Sequence, residues 1–220
     1  MPHRKNSGDV SRRGLLRAMA AAPLLGVASG CASLVPGQGP PPDLYRIKPA
    51  VQFPADMPRV DWQLEVVTPT APASLDTSRI ALLHNPLQVE YYARSNWVDR
   101  APLMVQAAII DAFEASERIL SVGRGSADVR PDYVLGTDLR EFQAEYFMGA
   151  NPEVHVGIIA RLVSARSRSV VAIKRFDHGG TAGADRIEQV VGAFSTALDK
   201  VLAELVPWTL ESGEADRKAA

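Results

Sequence analysis

Apolar and polar residues alternate in several segments after residue 59, and this period of two predicts strands with one buried face. The clearest case is Val60–Val67, in which every second residue is apolar. The segments Arg79–His84 and Leu87–Tyr92 flank a turn signal at Asn85-Pro86, so we expect a β-hairpin there. The pattern therefore begins with three half-buried strands.

Two later segments have an apolar residue every three or four positions, which is the spacing of an amphipathic helix. Leu103–Arg118 is the first of them. The second starts at Ile187 behind the capping pair Asp185 and Glu188, and Pro207 is expected to end it. Between the helices we predict a short strand and a three-stranded meander, over Ile119–Gly123, Tyr133–Phe147, Glu153–Ala165 and Ser169–Asp177.

The order of these elements, strands then helix then strands then helix, predicts the fold class. Two helices that cover one face of a largely antiparallel sheet bury both apolar helix stripes, so we expect a single α+β domain. The domain is predicted to span residues 59–207, with a disordered tail over residues 208–220. The sequence contains no recognisable internal repeat or second domain.

The first 30 residues have the pattern of an export signal. Arg12 and Arg13, followed by an apolar pair, resemble the twin-arginine motif. The apolar stretch Ala18–Ala28 is far shorter than the roughly 20 residues that a membrane-spanning helix needs. The run Ala28–Cys31 then resembles a lipobox, in which small residues precede a cysteine that becomes acylated. Residues 1–30 are therefore predicted to be a cleaved signal peptide.

Cys31 is the single cysteine of the chain, so an exported domain of this sequence has no internal disulfide. Its position between the signal and the Pro/Gly-rich run Ala32–Asp43 favours lipidation over the role of a small buried residue. We predict that residues 31–58 form a lipidated tether, anchored by two or three acyl chains. Ala32 stands where an acidic residue would indicate inner-membrane retention, so the outer membrane is favoured. The alternative is ordinary cleavage, which would release a soluble periplasmic protein.

Composition and charge exclude some classes of partner. Apolar residues make up 46% of the chain and charged residues 22%, which is an ordinary globular balance. The formal net charge is −1, and it falls to about −5 when the first 30 residues are left out. A mildly acidic domain without a basic stripe is a poor candidate for binding nucleic acid or for docking on anionic lipid by charge alone.

The groups that could carry chemistry do not form a recognisable reaction centre in the sequence. The three histidines outside the signal have no partner at metal-ligand spacing; they are His84, His155 and His178. The glycine runs at residues 123–125 and 179–183 lack the further residues of a nucleotide-binding loop. Twin-arginine export often carries enzymes that hold a cofactor, but nothing after residue 31 supports that hint. We therefore expect no enzyme, no cofactor and no metal.

Clusters of aromatic residues suggest binding more than any other feature. Tyr91-Tyr92 and Trp97 precede the first predicted helix, and Tyr146-Phe147-Met148 lies at a predicted turn. Core packing is the ordinary role of such residues, but the alternation of a strand exposes one of two neighbours. Exposed aromatic and Met side chains are typical of contact surfaces. The candidate partner-binding residues are Tyr92, Trp97, Tyr146, Phe147 and Met148.

Five dispersed segments carry a resemblance to a known family: Leu75–Ile80, Tyr91–Ala93, Trp97, Ala101–Leu103 and Ala112–Glu114. They resemble the ABC-type transport auxiliary lipoproteins, the PqiC-like family. The lipobox, the opening Leu44–Ile47 and the terminal amphipathic helix fit the same family. The resemblance covers roughly Tyr45 to Leu205.

The resemblance implies a non-enzymatic accessory role in an envelope lipid transport system. Such systems pair an ABC permease and ATPase with an MCE-type periplasmic protein, and these are the implied partners. Two alternatives stay open: a direct lipid carrier, which needs an apolar cavity between helices and sheet, and an envelope enzyme with an unrecognised site. A homo-oligomer also stays open, and no nucleic-acid partner is expected.

Overall fold

In the computed structural model of the chain, residues 40–125, 130–147, 149 and 151–219 are described. The predicted export signal with Arg12 and Arg13, the predicted lipidation site Cys31, and Met148 lie outside these residues. The elements in chain order are β1 (Asp43–Tyr45), β2 (Gln63–Val66), β3 (Arg79–Asn85), β4 (Gln88–Trp97), α1 (Ala101–Ser116), β5 (Ser121–Gly123), β6 (Tyr133–Glu145), β7 (Glu153–Ser164), β8 (Val170–Thr181) and α2 (Ile187–Ala219).

The long strand β6 is the centre of the sheet, and three other strands pair with it. β7 runs antiparallel to β6 along its length, and β8 runs antiparallel to β7, which confirms the predicted meander. The opposite edge of β6 is shared, because β2 pairs with its beginning and β3 with its end, both in parallel. β3 and β4 form the predicted hairpin, and β1 and β5 are parallel edge strands.

The sheet is therefore mixed, and the prediction of a largely antiparallel sheet is wrong. β2 and β3 follow one another along the same edge of β6, and both run in the direction of β6. The segment between β2 and β3 follows the edge of β6, where the Thr70 carbonyl accepts a hydrogen bond of 2.8 Å from the Leu139 amide. Alternation in the sequence records which face of a strand is buried, not the direction of its neighbour.

Both helices were predicted from their apolar spacing, and both pack on the sheet in one continuous core. At its centre the Trp97 ring lies 5.6 Å from the ring of Phe142 on β6 and 5.2 Å from that of Phe194 on α2, between centroids. The other side of β6 and β7 carries ion pairs, including Asp138 with Arg161. The described chain after Pro40 thus has the predicted α+β architecture, built as one unit.

The segment after β1 packs on the domain, although residues 31–58 were grouped with the tether and the domain was predicted to begin at residue 59. We call residues 45–53 the strap. Its odd-numbered residues are half-buried and its even-numbered ones exposed, and Tyr45, Ile47, Val51 and Phe53 contact the core. The Ala50 amide also donates a hydrogen bond of 2.7 Å to Asp199 on α2. The folded unit therefore begins at Pro41 rather than residue 59, and prolines had concealed the alternating pattern.

α2 continues through Pro207 to Ala219, so the predicted end of this helix and the predicted disordered tail are wrong. A proline inside a helix costs about 3 kcal/mol, because it removes one backbone hydrogen bond and crowds the preceding turn. Packing beyond Pro207 offsets that cost. Leu210 is completely buried, the Trp208 ring lies 5.5 Å from the Phe176 ring, and the Tyr133 hydroxyl donates to the Gly213 carbonyl at 3.0 Å.

Candidate functional site

The end of β6, the β3–β4 turn and the loop before α2 meet at one end of the sheet, which we call the sheet end. The Tyr146 amide, directly after β6, donates a hydrogen bond of 2.9 Å to the Leu83 carbonyl on β3. The Ala182 amide, directly after β8, donates a hydrogen bond of 2.9 Å to the Pro152 carbonyl before β7. Four strands and the start of α2 are therefore fixed relative to one another here.

A chain of hydroxyl groups joins three of these elements. The Tyr146 hydroxyl donates to Asp185 at 2.7 Å, and the hydroxyls of Tyr92 and Tyr146 lie 2.8 Å apart. Because Tyr146 has one proton and gives it to Asp185, Tyr92 must be the donor to Tyr146. Burial raises the pKa of both phenols, and that of Tyr92 lies far above the usual range, so both stay protonated and able to donate.

The imidazole of His84 extends this cluster toward the β3–β4 turn. It stacks on Tyr146 with 4.9 Å between ring centroids, and its Nδ1 lies 3.4 Å from a carboxylate oxygen of Glu90 on β4. We define the aromatic cluster as His84, Tyr92, Tyr146 and Asp185. It supplies a firmly held platform at the sheet end, because each member contacts another from a different element.

Three large apolar side chains at the sheet end are exposed to solvent, and we call them the apolar tip. Leu87 in the β3–β4 turn is 97% exposed, Val89 is 43% exposed, and Phe147 directly after Tyr146 is 42% exposed. The turn is not loose at Leu87, because its amide donates a hydrogen bond of 3.0 Å to the Asn85 side chain. Exposed apolar groups gathered at one place are typical of an interaction surface.

The structure divides the candidate partner-binding residues into different roles. Phe147 is exposed in the apolar tip, whereas Tyr92 and Tyr146 are half-buried and support it from the aromatic cluster. Trp97 is buried in the core at 1% exposure, so the expectation that it contacts a partner is wrong. Trp97 lies on the face of β4 that packs against the helices, where Phe194 of α2 contacts its ring.

Sequence reasoning missed Leu87 and Val89. Both lie in a segment interpreted as an ordinary strand, and the alternating pattern assigns such residues to the core. The available signal was the position of Leu87 directly after Asn85-Pro86, inside a turn where a polar residue is usual.

One group on the helix-free face of the sheet has the composition of a metal site. Ligand atoms of Glu141, His155 and Asp177 lie within 4.8 Å of one another. The guanidinium of Arg175 bonds both carboxylates, at 3.1 Å from Glu141 and 2.5 Å from Asp177. These oxygens are thus already engaged by a cation of the chain, and the group acts as an ion-pair network across β6, β7 and β8.

A groove of about 360 Å³ lies between the strap and α1. Six of its nine lining residues are apolar, among them Ile47 and Val51, and the other three are the charged residues Arg46, Lys48 and Asp111. A lipid carrier needs a cavity that buries most of its ligand. This groove is only partly enclosed and carries three charged side chains, so it is a poor fit for an acyl chain.

The comparison with protein families shows which family the chain belongs to. The sequence model of the family described as "ABC-type transport auxiliary lipoprotein component" matches residues 43–206. The chain belongs to this family. The resemblance seen in the dispersed segments from Leu75 to Glu114 is thereby confirmed, and the family is one of transport auxiliary components rather than enzymes. Its match begins at β1, in agreement with the revised start of the folded unit.

Individual relatives of this auxiliary lipoprotein agree with the family match. A crystal structure of a protein from Xanthomonas campestris is 31% identical, with a TM-score of 0.76 over 80% of this chain and 99% of that one. A second crystal structure, of an uncharacterized protein, is 11% identical with a TM-score of 0.55 over 82% of this chain and all of that one, and it shows the fold alone.

A curated relative in sequence is an uncharacterized protein of Bradyrhizobium diazoefficiens, 30% identical over 152 residues. The match covers 67% of this chain but only 39% of that protein. Within the described ranges of this auxiliary lipoprotein, no helix is long and apolar enough to cross a membrane.

Proposed function

We propose that this auxiliary lipoprotein serves an MCE-linked ABC transport system that moves lipid across the bacterial envelope. It acts there without chemistry of its own, by docking on the MCE-type periplasmic protein or on the permease and ATPase complex. The single observation that carries the proposal is the apolar tip held on the aromatic cluster. The chain belongs to a family of transport auxiliary components. Its exposed apolar residues lie on a well-ordered support, which suits them to contact with another protein.

In this proposal, the N-terminal segment holds the domain at a membrane. Arg12 and Arg13 direct export, and Cys31 carries the lipid after cleavage. The residues between Cys31 and β1 then act as a linker, which lets the domain reach a partner while the lipid stays in the bilayer. The outer membrane is the proposed location, because Ala32 lacks the acidic character of an inner-membrane retention signal.

Gene deletion tests the proposed function independently of any contact surface. Loss of this chain is expected to weaken the outer-membrane barrier to detergents as much as loss of the permease does. Deleting both genes together should add nothing, because both products would act in one system. Additive defects, or a normal barrier without this chain, would contradict the assignment.

A further inference from the structure

Acidic residues share the sheet end with the apolar tip. Glu90 follows the β3–β4 turn, Glu145 ends β6, Glu153 opens β7, and Asp185 precedes α2. The side chains of Glu90 and Glu153 are 41% and 54% exposed. The bases near these carboxylates are Arg186, which is permanently charged and follows Asp185, and two imidazoles: His84 faces Glu90, and His155 faces Glu145 and Glu153. The tip is therefore an apolar centre with an excess of negative charge at its border.

From this charge pattern we infer that the apolar tip inserts into an apolar pocket of a protein partner whose rim carries lysine and arginine. The inference rests on the proposed function and adds the contact surface and the partner's chemistry. A central apolar contact within a charged border is the usual anatomy of a specific interface. The acidic border would steer a basic partner toward the tip and suppress contact with acidic surfaces.

The same charges disfavour two other occupants. An anionic bilayer would repel the carboxylates that lie at the same end of the sheet as Leu87. A second copy docked tip to tip would place four carboxylates of each copy opposite those of the other, with Arg186 as the permanently charged base to offset them. An apolar protein pocket with a basic rim complements both the apolar and the charged parts of the surface.

Support from the aromatic cluster makes this contact favourable. Tyr146 is bonded to Asp185 and to Tyr92, and the adjacent Phe147 is therefore carried by a fixed backbone. The Asn85 side chain holds the Leu87 amide in the same way. A surface that is already ordered loses less conformational entropy on binding than a mobile loop does.

The test uses the full mature chain with Cys31→Ala, which contains no other cysteine. Leu87→Cys then offers one thiol for an environment-sensitive fluorophore, and Leu120→Cys is the matched control, since Leu120 is 65% exposed outside the tip. The probe is the purified MCE-type periplasmic protein of the same organism. We expect a saturable blue shift for the label at position 87 and none at position 120.

Unlabelled variants measured by calorimetry separate the apolar and charged parts of the surface. Leu87→Ser is expected to weaken binding at least about tenfold, as for a central interface residue. Glu153→Gln should weaken it about two- to fivefold and reduce its salt dependence. Leu120→Ser and Glu211→Gln, which change exposed residues away from the tip, should leave affinity unchanged.

The outcomes distinguish this inference from the proposed function. If the unmodified surface binds and Leu87→Ser binds equally well, the inference is overturned while the proposed function stands. If the chain with an intact tip binds neither the MCE-type protein nor the permease complex, the proposed function itself fails. Leu87-dependent flotation with phosphatidylglycerol vesicles would also overturn the inference, because the tip would then insert into a bilayer. Leu87-dependent dimerisation would overturn it as well, because the tip would then contact a second copy of the chain.

Discussion

Trp97 and Phe147 were predicted together as contact residues, yet they have opposite environments in the fold. Trp97 packs on Phe142 and Phe194 in the core, whereas Phe147 stands exposed at the sheet end. A loss of binding on mutation would have different causes at the two positions. Replacing Trp97 would destabilise the folded domain, and replacing Phe147 would remove contact area.

Trp97→Ala is expected to lower the free energy of unfolding by about 3–5 kcal/mol, because it leaves a large cavity in the core. Phe147→Ala should change it by no more than about 0.5 kcal/mol, as for an ordinary surface position. Urea unfolding followed by circular dichroism measures both. Equal destabilisation by the two substitutions would mean that Phe147 is core and that the apolar tip is misassigned.

Tyr133 provides a pH-dependent test of the contact between β6 and the end of α2. Burial and the hydrogen bond to Asp216 raise the pKa of Tyr133 to about 12, above the value of about 10 for an exposed phenol. The unfolded chain therefore releases this proton first as pH rises. The stability that Tyr133 contributes is present below about pH 10 and is lost as pH approaches 12.

We expect the stability difference between the wild-type chain and Tyr133→Phe to shrink between about pH 10 and about pH 12. Urea unfolding of both proteins over that range measures it. A difference that is constant with pH would show that the Tyr133 hydroxyl gains nothing from its contacts with Gly213 and Asp216.

At the scale of elements, α2 shows why packing overrides a local stop signal. Beyond Pro207 the helix stays folded against β6, β8 and the residues around Trp62. Gly213 is the point of closest approach, since a Cβ there would come within 2.7 Å of the Trp62 ring. Gly192 in the same helix has open space at its Cβ position.

This pair of glycines gives opposite predictions for one chemical change. Gly192→Ala should stabilise the protein by about 0.5–1 kcal/mol through helix propensity. Gly213→Ala should instead destabilise it by about 1–3 kcal/mol, because the added methyl overpacks the contact with Trp62. Thermal unfolding of the two variants checks both signs. A stabilising Gly213→Ala would mean that the last turns of α2 do not pack on the domain.

How far the sequence predicts this fold depends on what each pattern encodes. Periodicity records burial, so it identified both helices, the hairpin and the meander. It does not record strand direction, so the parallel pairings of β2 and β3 with β6 were not foreseen. Pro49 and its neighbours concealed the strap. Leu87 had no periodic signature, because it is an exposed apolar residue in a turn that meets the end of β6 only in the tertiary structure.

At the scale of the whole molecule, the proposed lipid anchor would hold the domain at a membrane while the apolar tip contacts a partner. Cys31→Ala is expected to move the chain from the membrane fraction to the soluble periplasmic fraction, since the variant lacks the residue proposed to carry the lipid. Immunoblotting of separated fractions measures this. A variant that stays with the membrane after a carbonate wash would contradict lipidation at Cys31.

The central claim, that this lipoprotein acts by docking in an MCE-linked transporter through its apolar tip, is tested most directly by quantitative co-purification from mildly solubilised membranes. The wild-type chain and Leu120→Ser are predicted to bring down the MCE-type protein with its permease and ATPase. The double variant Leu87→Ser with Phe147→Ser is predicted to lose them while remaining folded and membrane-bound. Recovery of none of these components with the wild-type chain, or equal recovery with the double variant, would contradict the account.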